Sequence, residues 1–199
     1  SHRLKMGSLN NQEWQQLSLA SDNLQKLNVL FDDAGTVRGT DLRQKCRKLA
    51  QEGRLDLVLI DYLQLLSGSR QHSNRVQEVS EISRTLKEMA RELKIPVIAL
   101  SQLSRSVEQR PDKHPIMADL RESGSIEQDA DVVLFLYRDD YYNPNDSQKP
   151  NQVDIMVAKN RSGATNMEGF PLLFRKQYSQ FKTKVISGDE EEDDAMPSA

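Results

Sequence analysis

The strongest constraint on the fold is a strand, helix, strand succession in the first half of the chain. Residues 55–60 are almost continuously apolar and run into Asp61, and residues 97–100 are apolar again after Pro96. Between them Val76, Val79, Ile82, Leu86, Met89 and Leu93 recur three and four residues apart with charged side chains in the gaps. That spacing predicts an amphipathic helix over residues 75–94 with one face on a core. Two apolar strands joined through a helix close as a right-handed βαβ unit with parallel strands. The near-continuous apolarity of 55–60 further predicts a strand buried on both faces.

The flanks extend this α/β pattern. Residues 9–26 predict a helix on Trp14, Leu17 and Leu24, and 27–31 a short strand stopped by Asp32 and Asp33. Residues 40–51 predict a helix capped by Thr40 and ended by Gly53. Downstream, 132–137, 153–158 and 172–174 predict strands joined by connections too short for crossover helices, so they pair antiparallel at one edge. Residues 67–73 and 104–131 are read as polar loops. No internal repeat appears, and no linker precedes the carboxyl-terminal tail.

Composition narrows the function classes. At 199 residues the chain can bury one core. No apolar run approaches the roughly 20 residues that span a bilayer, and no signal-peptide core follows the first residues. The single cysteine, Cys46, excludes an internal disulfide and points to a reducing cytoplasm. Cys46 shares a helical repeat with Leu42 and Leu49, which places it in a core; a reactive thiol is the alternative. His2, His72 and His114 are scattered, with no zinc-ligand spacing. The net charge of −3 conceals a run of six acids, Asp189 to Asp194, without which the chain would carry +3. Residues 187–199 read as a solvated, disordered acidic tail, or alternatively as one that binds a partner.

Four places carry candidate chemistry. Leu57-Val58-Leu59-Ile60-Asp61 is the Walker B pattern, an acid at the carboxyl end of a strand where it can hold Mg²⁺ directly or through water. An ordinary strand-ending acid gives the same string. Ser101-Gln102 ends the next strand, where an amide can sense a γ-phosphate or simply face solvent. Arg121, Glu122, Ser123 and Gly124 can offer a guanidinium and main-chain N–H groups to a phosphodiester, or form part of a solvated loop. Lys159-Asn160-Arg161 precedes the turn signal Ser162-Gly163, so its two cations can reach a neighbour's nucleotide or remain a basic turn.

Taken together, these segments resemble the DnaB family of ring-shaped replicative helicases. The resemblance rests on Leu59-Ile60-Asp61-Tyr62-Leu63-Gln64-Leu65, Glu78-Val79-Ser80-Glu81-Ile82-Ser83-Arg84, and Pro96 through Arg105. It continues through Asp119 to Asp131, Tyr137-Arg138-Asp139-Asp140-Tyr141-Tyr142, and Ala158-Lys159-Asn160-Arg161-Ser162-Gly163, in family order and spacing.

The resemblance implies a RecA-like motor domain: a mostly parallel sheet flanked by helices, with antiparallel edge strands. It implies a homo-hexamer that moves 5′ to 3′ on single-stranded DNA using ATP and Mg²⁺, unwinds duplex DNA, and meets a primase and a helicase loader, with no membrane partner. In that frame Asp61 is the Walker B acid and metal residue, and Gln102 couples the γ-phosphate to the DNA loops. Arg121, Glu122 and Gly124 contact the DNA backbone, and residues 67–75 form a second segment facing the channel. Lys159 and Arg161 act in trans on the adjacent subunit's nucleotide, while Asn160 carries no assigned role.

The family's phosphate loop, G-x-x-x-x-G-K-[ST], occurs nowhere in the 199 residues. The expectation is accordingly a partial motor domain over residues 1–186, incomplete at its amino-terminal side, marginally stable or supported by another copy. Such a fragment hydrolyses no ATP by itself and binds no cofactor tightly. A RecA-like module that only binds nucleic acid or a ring partner is the alternative.

Overall fold

The computed structural model describes residues 2–35, 37–68 and 74–184; for His2, Lys5, Arg121, Glu122 and Ser123 it describes the main chain alone. The acidic tail and residues 69–73 lie outside the described residues.

The organising element is helix α4, Arg75–Leu93, which follows α1 (His2–Lys5), α2 (Asn11–Gln25) and α3 (Gly39–Gln51). Asn74 caps α4, its Oδ1 accepting the Val76 N–H at 2.9 Å. Lys94 ends it in the left-handed region at φ 56°, and Pro96 prevents continuation. The apolar stripe anticipated from sequence is the buried one: Val79, Ile82, Leu86 and Met89. They pack with Cys46 of α3, Val58 and Ile60 of β2 (Val58–Ile60), Leu63, and Leu66 of β3 (Leu66–Ser67). Cys46 is thus a core residue, and burial pushes its thiol up from the ordinary value. Across the surface, Arg43 and Arg47 of α3 grip Glu92 of α4. The Arg47 and Arg43 hydrogen bonds hold the Glu92 carboxyl at about 2.

Among the described residues the β structure forms three separate sheets. Strand β1 (Val37–Arg38) pairs parallel with β3, and β2 pairs parallel with β4 (Val97–Ala99) in the register Val58↔Val97 and Ile60↔Ala99. The third sheet has four strands in chain order. They are β5 (Val132–Tyr137), β6 (Gln152–Asn160), β7 (Asn166–Arg175) and β8 (Gln180–Thr183), antiparallel throughout as the short connections require. A second core lies on one face of β5, where Val133, Phe135 and Tyr137 meet Met156 and Leu120. Gly169 sits at φ +85°, and a Cβ there would come within 3.2 Å of Asp154 and Met156, so the close crossing of β7 over β6 requires glycine.

The expected strand over residues 27–31 is absent: those residues have no ladder partner, and Phe31 is 91% exposed. Apolarity alone does not make a strand without an edge to join. Thr40 is not the cap of α3, which starts at Gly39 after Arg38 with no side-chain cap; Thr40 bonds Asp41 instead. Gly53, at φ 65°, does follow the end of that helix. Residues 104–131 are not a plain loop, because they hold 3₁₀ turns at Arg105–Gln109 and Met117–Ser123 and helix α5, Gly124–Asp129.

The largest departure concerns the parallel strands. Helices cover one face only, so Val58 and Ile60 are buried while Leu57 and Leu59 are exposed, Leu59 by 63%. Ile98 and Leu100 on the β4 side are open as well, and Val132, Leu134 and Leu136 on β5 repeat the alternation. Helix α2 likewise buries no residue, although Asn10 and Glu13 close a reciprocal capping box at its start.

At the end of β5, helix α6 (Asp139–Tyr142) opens with a buried ion cluster. Asp140 receives Lys176 Nζ at 2.5 Å and the Asn151 N–H at 3.1 Å, and its Oδ1 lies 2.7 Å from Arg138 Nε in an ion pair whose angle falls outside a hydrogen bond. The Arg138 guanidinium sits between the rings of Tyr141 and Phe174, 5.4 and 5.3 Å from their centroids. Burial pushes the Asp140 carboxyl up, but Lys176, the Asn151 amide and Arg138 outweigh it and leave the group below its ordinary value.

Three outcomes are expected. Met89→Ala empties a fully buried site and lowers unfolding free energy by about 2–5 kcal/mol in urea titration. Leu59→Ser combined with Leu134→Ser reduces binding of an apolar fluorescent dye and self-association while the far-ultraviolet circular dichroism is retained. Asp140 is depressed in the folded state, so its stabilisation is present above about pH 4 and is lost as pH falls through the lower folded value. Asp140→Asn therefore starts less stable at neutral pH and shows a flatter acid limb in thermal melts.

Candidate nucleotide and nucleic-acid site

Asp61 follows directly on β2, and Gln102 stands three residues past Ala99, the last residue of the adjacent parallel strand β4. The ladder runs past the strand ends, with Leu100 N–H donating to Ile60 O at 2.9 Å and Leu63 N–H to Leu100 O at 2.8 Å. Both side chains are exposed at the carboxyl ends of β2 and β4, the edge where open α/β sheets take ligands. Among the described residues Asp61 belongs to no cluster of three His, Cys, Asp or Glu. One carboxylate in open solvent suits a cation that keeps most of its own water, as Mg²⁺ does.

Gln64 is a site residue the sequence did not single out. It sits in the 3₁₀ turn Leu63–Leu65, and its Nε2 donates to Ser101 Oγ at 3.1 Å and to Gln102 O at 3.2 Å. Its Oε1 accepts the Gln102 N–H at 3.3 Å. One side-chain amide thereby continues the β2/β4 ladder for a further step and fixes the main chain of Gln102. Only the strand register shows that Gln64 faces residue 102.

The segment carrying Arg121, Glu122 and Gly124 is anchored from within. Leu120 turns into the second core, and Asp119, 3% exposed, accepts the Ile116 N–H at 2.9 Å and both arms of Arg110 at 2.8 and 2.9 Å. Arg110 also donates to His114 O at 2.6 Å, and the His114 ring stacks on Tyr137 at 3.9 Å between centroids. The side chains of Arg121 and Glu122 lie outside the described residues; their main chain forms the last 3₁₀ turn before α5. Gly124 is exposed, and a Cβ there would meet nothing within 4 Å, so the chain's own packing does not require glycine at this position. Helix α5 then lies on α4, through Ser125 Oγ to Ser80 Oγ at 2.9 Å and Ser83 Oγ to Asp129 at 2.8 Å.

Lys159 and Arg161 are brought together with α5 and not with Asp61. Lys159 Nζ donates to the carbonyls of Glu127 and Gln128 at 2.6 and 3.4 Å, at the carboxyl end of α5. Arg161 N–H donates to Asp131 O at 2.9 Å, and its Nη1 lies 3.4 Å from Asp131 Oδ1. Asp131 also pairs with Lys87, and that bond, more than Arg161, holds its carboxyl below the ordinary value. Lys87 stands about 18 Å along α4 from Arg75, at 1.5 Å per residue, and Arg75 is the helix residue that contacts Gln64. Asn160, without a role on sequence, shapes the turn that presents Arg161: its Nδ2 donates to Ala164 O at 3.2 Å and its Oδ1 accepts the Ser162 N–H at 3.3 Å.

Comparison with known proteins shows the family and the fold. The family model for the DnaB-like helicase C terminal domain matches residues 1–183. The chain is 54% identical over 182 residues to replicative DNA helicase DnaB of Geobacillus stearothermophilus, and 52% identical over 182 residues to replicative DNA helicase DnaC of Bacillus subtilis (strain 168). Each alignment covers 91% of this chain and 39% of the relative, so the chain spans about two-fifths of the length of these curated relatives. Among solved structures, a DnaB-like replicative helicase, solved in a study of its interactions with primase, aligns at TM-score 0.82 and 43% identity, over 88% of this chain and 42% of that one. A second solved structure, of an ATPase domain, aligns at 0.85 and 41%, over 92% of this chain and 65% of that one. The fold is RecA-like, and the chain belongs to the family of DnaB-like helicase C-terminal domains.

Proposed function

We propose that the chain is the nucleotide-sensing and DNA-contacting part of a replicative DNA helicase that unwinds duplex DNA by ATP-driven 5′-to-3′ movement on single strands. The observation that carries this is that Asp61 and Gln102 both stand beyond the carboxyl ends of the paired strands β2 and β4, with the main chain of Gln102 clamped by Gln64. Asp61 would hold Mg²⁺ through water, and Gln102 would meet the γ-phosphate. The bound metal supplies charge neutralisation at the phosphates. Arg121, Glu122 and Gly124 are proposed to meet the DNA backbone. Lys159 and Arg161 are proposed to reach a second subunit's nucleotide in a homo-hexamer, exchanging their bonds to α5 and Asp131 for the phosphates. Primase and a helicase loader are its proposed protein partners, in the cytoplasm.

The motif G-x-x-x-x-G-K-[ST] is absent from the 199 residues, so this chain alone is proposed not to hydrolyse ATP and to hold ATP and Mg²⁺ weakly. Its affinity for single strands is modest and falls with salt, because one copy presents a single segment where a ring presents several at once.

Fluorescence anisotropy with a labelled oligothymidylate tests the assignment. The chain binds at low salt, binding weakens at moderate salt, and Arg121→Ala lowers affinity several-fold, about the loss of one phosphate contact. Equal affinity of wild type and variant at both salt concentrations would overturn the placement of the DNA contact at Arg121.

A further inference from the structure

Gln64 does more than close the ladder. Its own main-chain carbonyl accepts Arg75 Nη2 at 2.6 Å, and Arg75 is the first residue of α4. The other arm of Arg75 pairs with Glu78, one turn along the helix, and Glu78 Oε1 accepts the Gly68 N–H at 3.1 Å. The side chain of Gln64 is thus fastened to Gln102 while its main chain is fastened to the first turn of α4 and, through Glu78, to Gly68 just beyond β3. Apart from Arg75–Glu78, which lies within α4, these bonds join one element to another, and every one is polar in a part-buried or exposed setting. They add little to overall stability, each contributing about one net hydrogen bond, so packing of the apolar core does not account for their arrangement.

We propose that Gln64 is a positioning residue that makes Gln102, the turn after Asp61, Gly68 and the amino-terminal turn of α4 move as one unit. This deepens the reading above, on which Gln102 meets the γ-phosphate. A displacement of the Gln102 main chain reaches Gln64 through two amide contacts, and Arg75 and Glu78 through the Gln64 carbonyl. The same helix carries α5 on Ser80 and Ser83, so its first turn links the strand-end pair to the helix that follows residues 121–124. The isosteric change Gln64→Glu removes the two donors of the amide and sets a carboxylate against the Gln102 carbonyl. Arg75→Gln leaves Gln64 intact and cuts only the second half of the link.

Hydrogen exchange followed by nuclear magnetic resonance on the ¹⁵N-labelled chain tests the unit without any nucleotide or DNA. Gln64→Ala should speed exchange of the Gln102 amide about five- to tenfold, the ratio of one net hydrogen bond, and Gln64→Glu, whose carboxylate still accepts that N–H, should speed it less. Arg75→Gln should speed exchange at the Gly68 amide and also at the side-chain amide of Gln64 and the Gln102 amide, while amides near Met89 stay protected. If Arg75→Gln changes Gly68 but leaves Gln64 and Gln102 at wild-type rates, the contacts are independent and the proposal is wrong. Should Gln64→Ala lose its fold, the exposed Arg75→Gln variant decides the matter by itself. Adding oligothymidylate separates the two ideas: failure of DNA to bind counts against the DNA contact at Arg121, and the exchange rates still decide the unit around Gln64.

Discussion

Much of the polar framework around the candidate site is hung from one helix, α4, and that helix is held by a buried stripe of four side chains. Val79, Ile82, Leu86 and Met89 fix its height and rotation over β2 and β3. Because helical geometry is stiff, fixing the stripe also fixes where the other faces point. The first turn then meets Gln64, the middle meets α5 through Ser80 and Ser83, and Lys87 meets Asp131 beside Arg161. Three groups of polar contacts, each weak by itself, acquire fixed mutual spacing from an apolar interaction none of them shares.

The sequence revealed what is encoded locally. The stripe of α4, the parallel pairing of β2 with β4, the antiparallel run from β5 to β7 and the core position of Cys46 follow from periodicity and connection length, which a short window contains, whereas β8 is not read from the sequence. The positions of Asp61 and Gln102 at adjacent strand ends follow from the same βαβ logic. Features that depend on distant partners did not show. Residues 27–31 have strand composition but no edge to pair with, and Leu57 and Leu59 have core composition but no covering layer. The 3₁₀ turns of residues 105–123 depend on Asp119 and Arg110, a pair that sequence shows only as two charges nine residues apart. Gln64 becomes visible only when the register of two strands is known.

The two kinds of open apolar surface have a common physical origin. An α/β sheet strand with near-continuous apolar sequence is built for cover on both faces. Here one face of β2 packs on α3 and α4 and one face of β5 on Leu120 and Met156, while the opposite faces lack cover, which leaves alternate residues of both strands in water at the expense of stability.

The contact of Lys159 with α5 has a thermodynamic consequence of its own. A cation resting on the last carbonyls of a short helix complements the helix dipole, to the extent of about 0.3–1 kcal/mol. Drawing Lys159 onto any other anion is then an exchange, in which the two carbonyls pass to water and the end of α5 loosens. By reciprocity of linked equilibria, anything that stiffens α5 from its Gly124 end must hold Lys159 more firmly in place. The lysine and the helix thus report on each other's state although they lie about thirty residues apart in the chain.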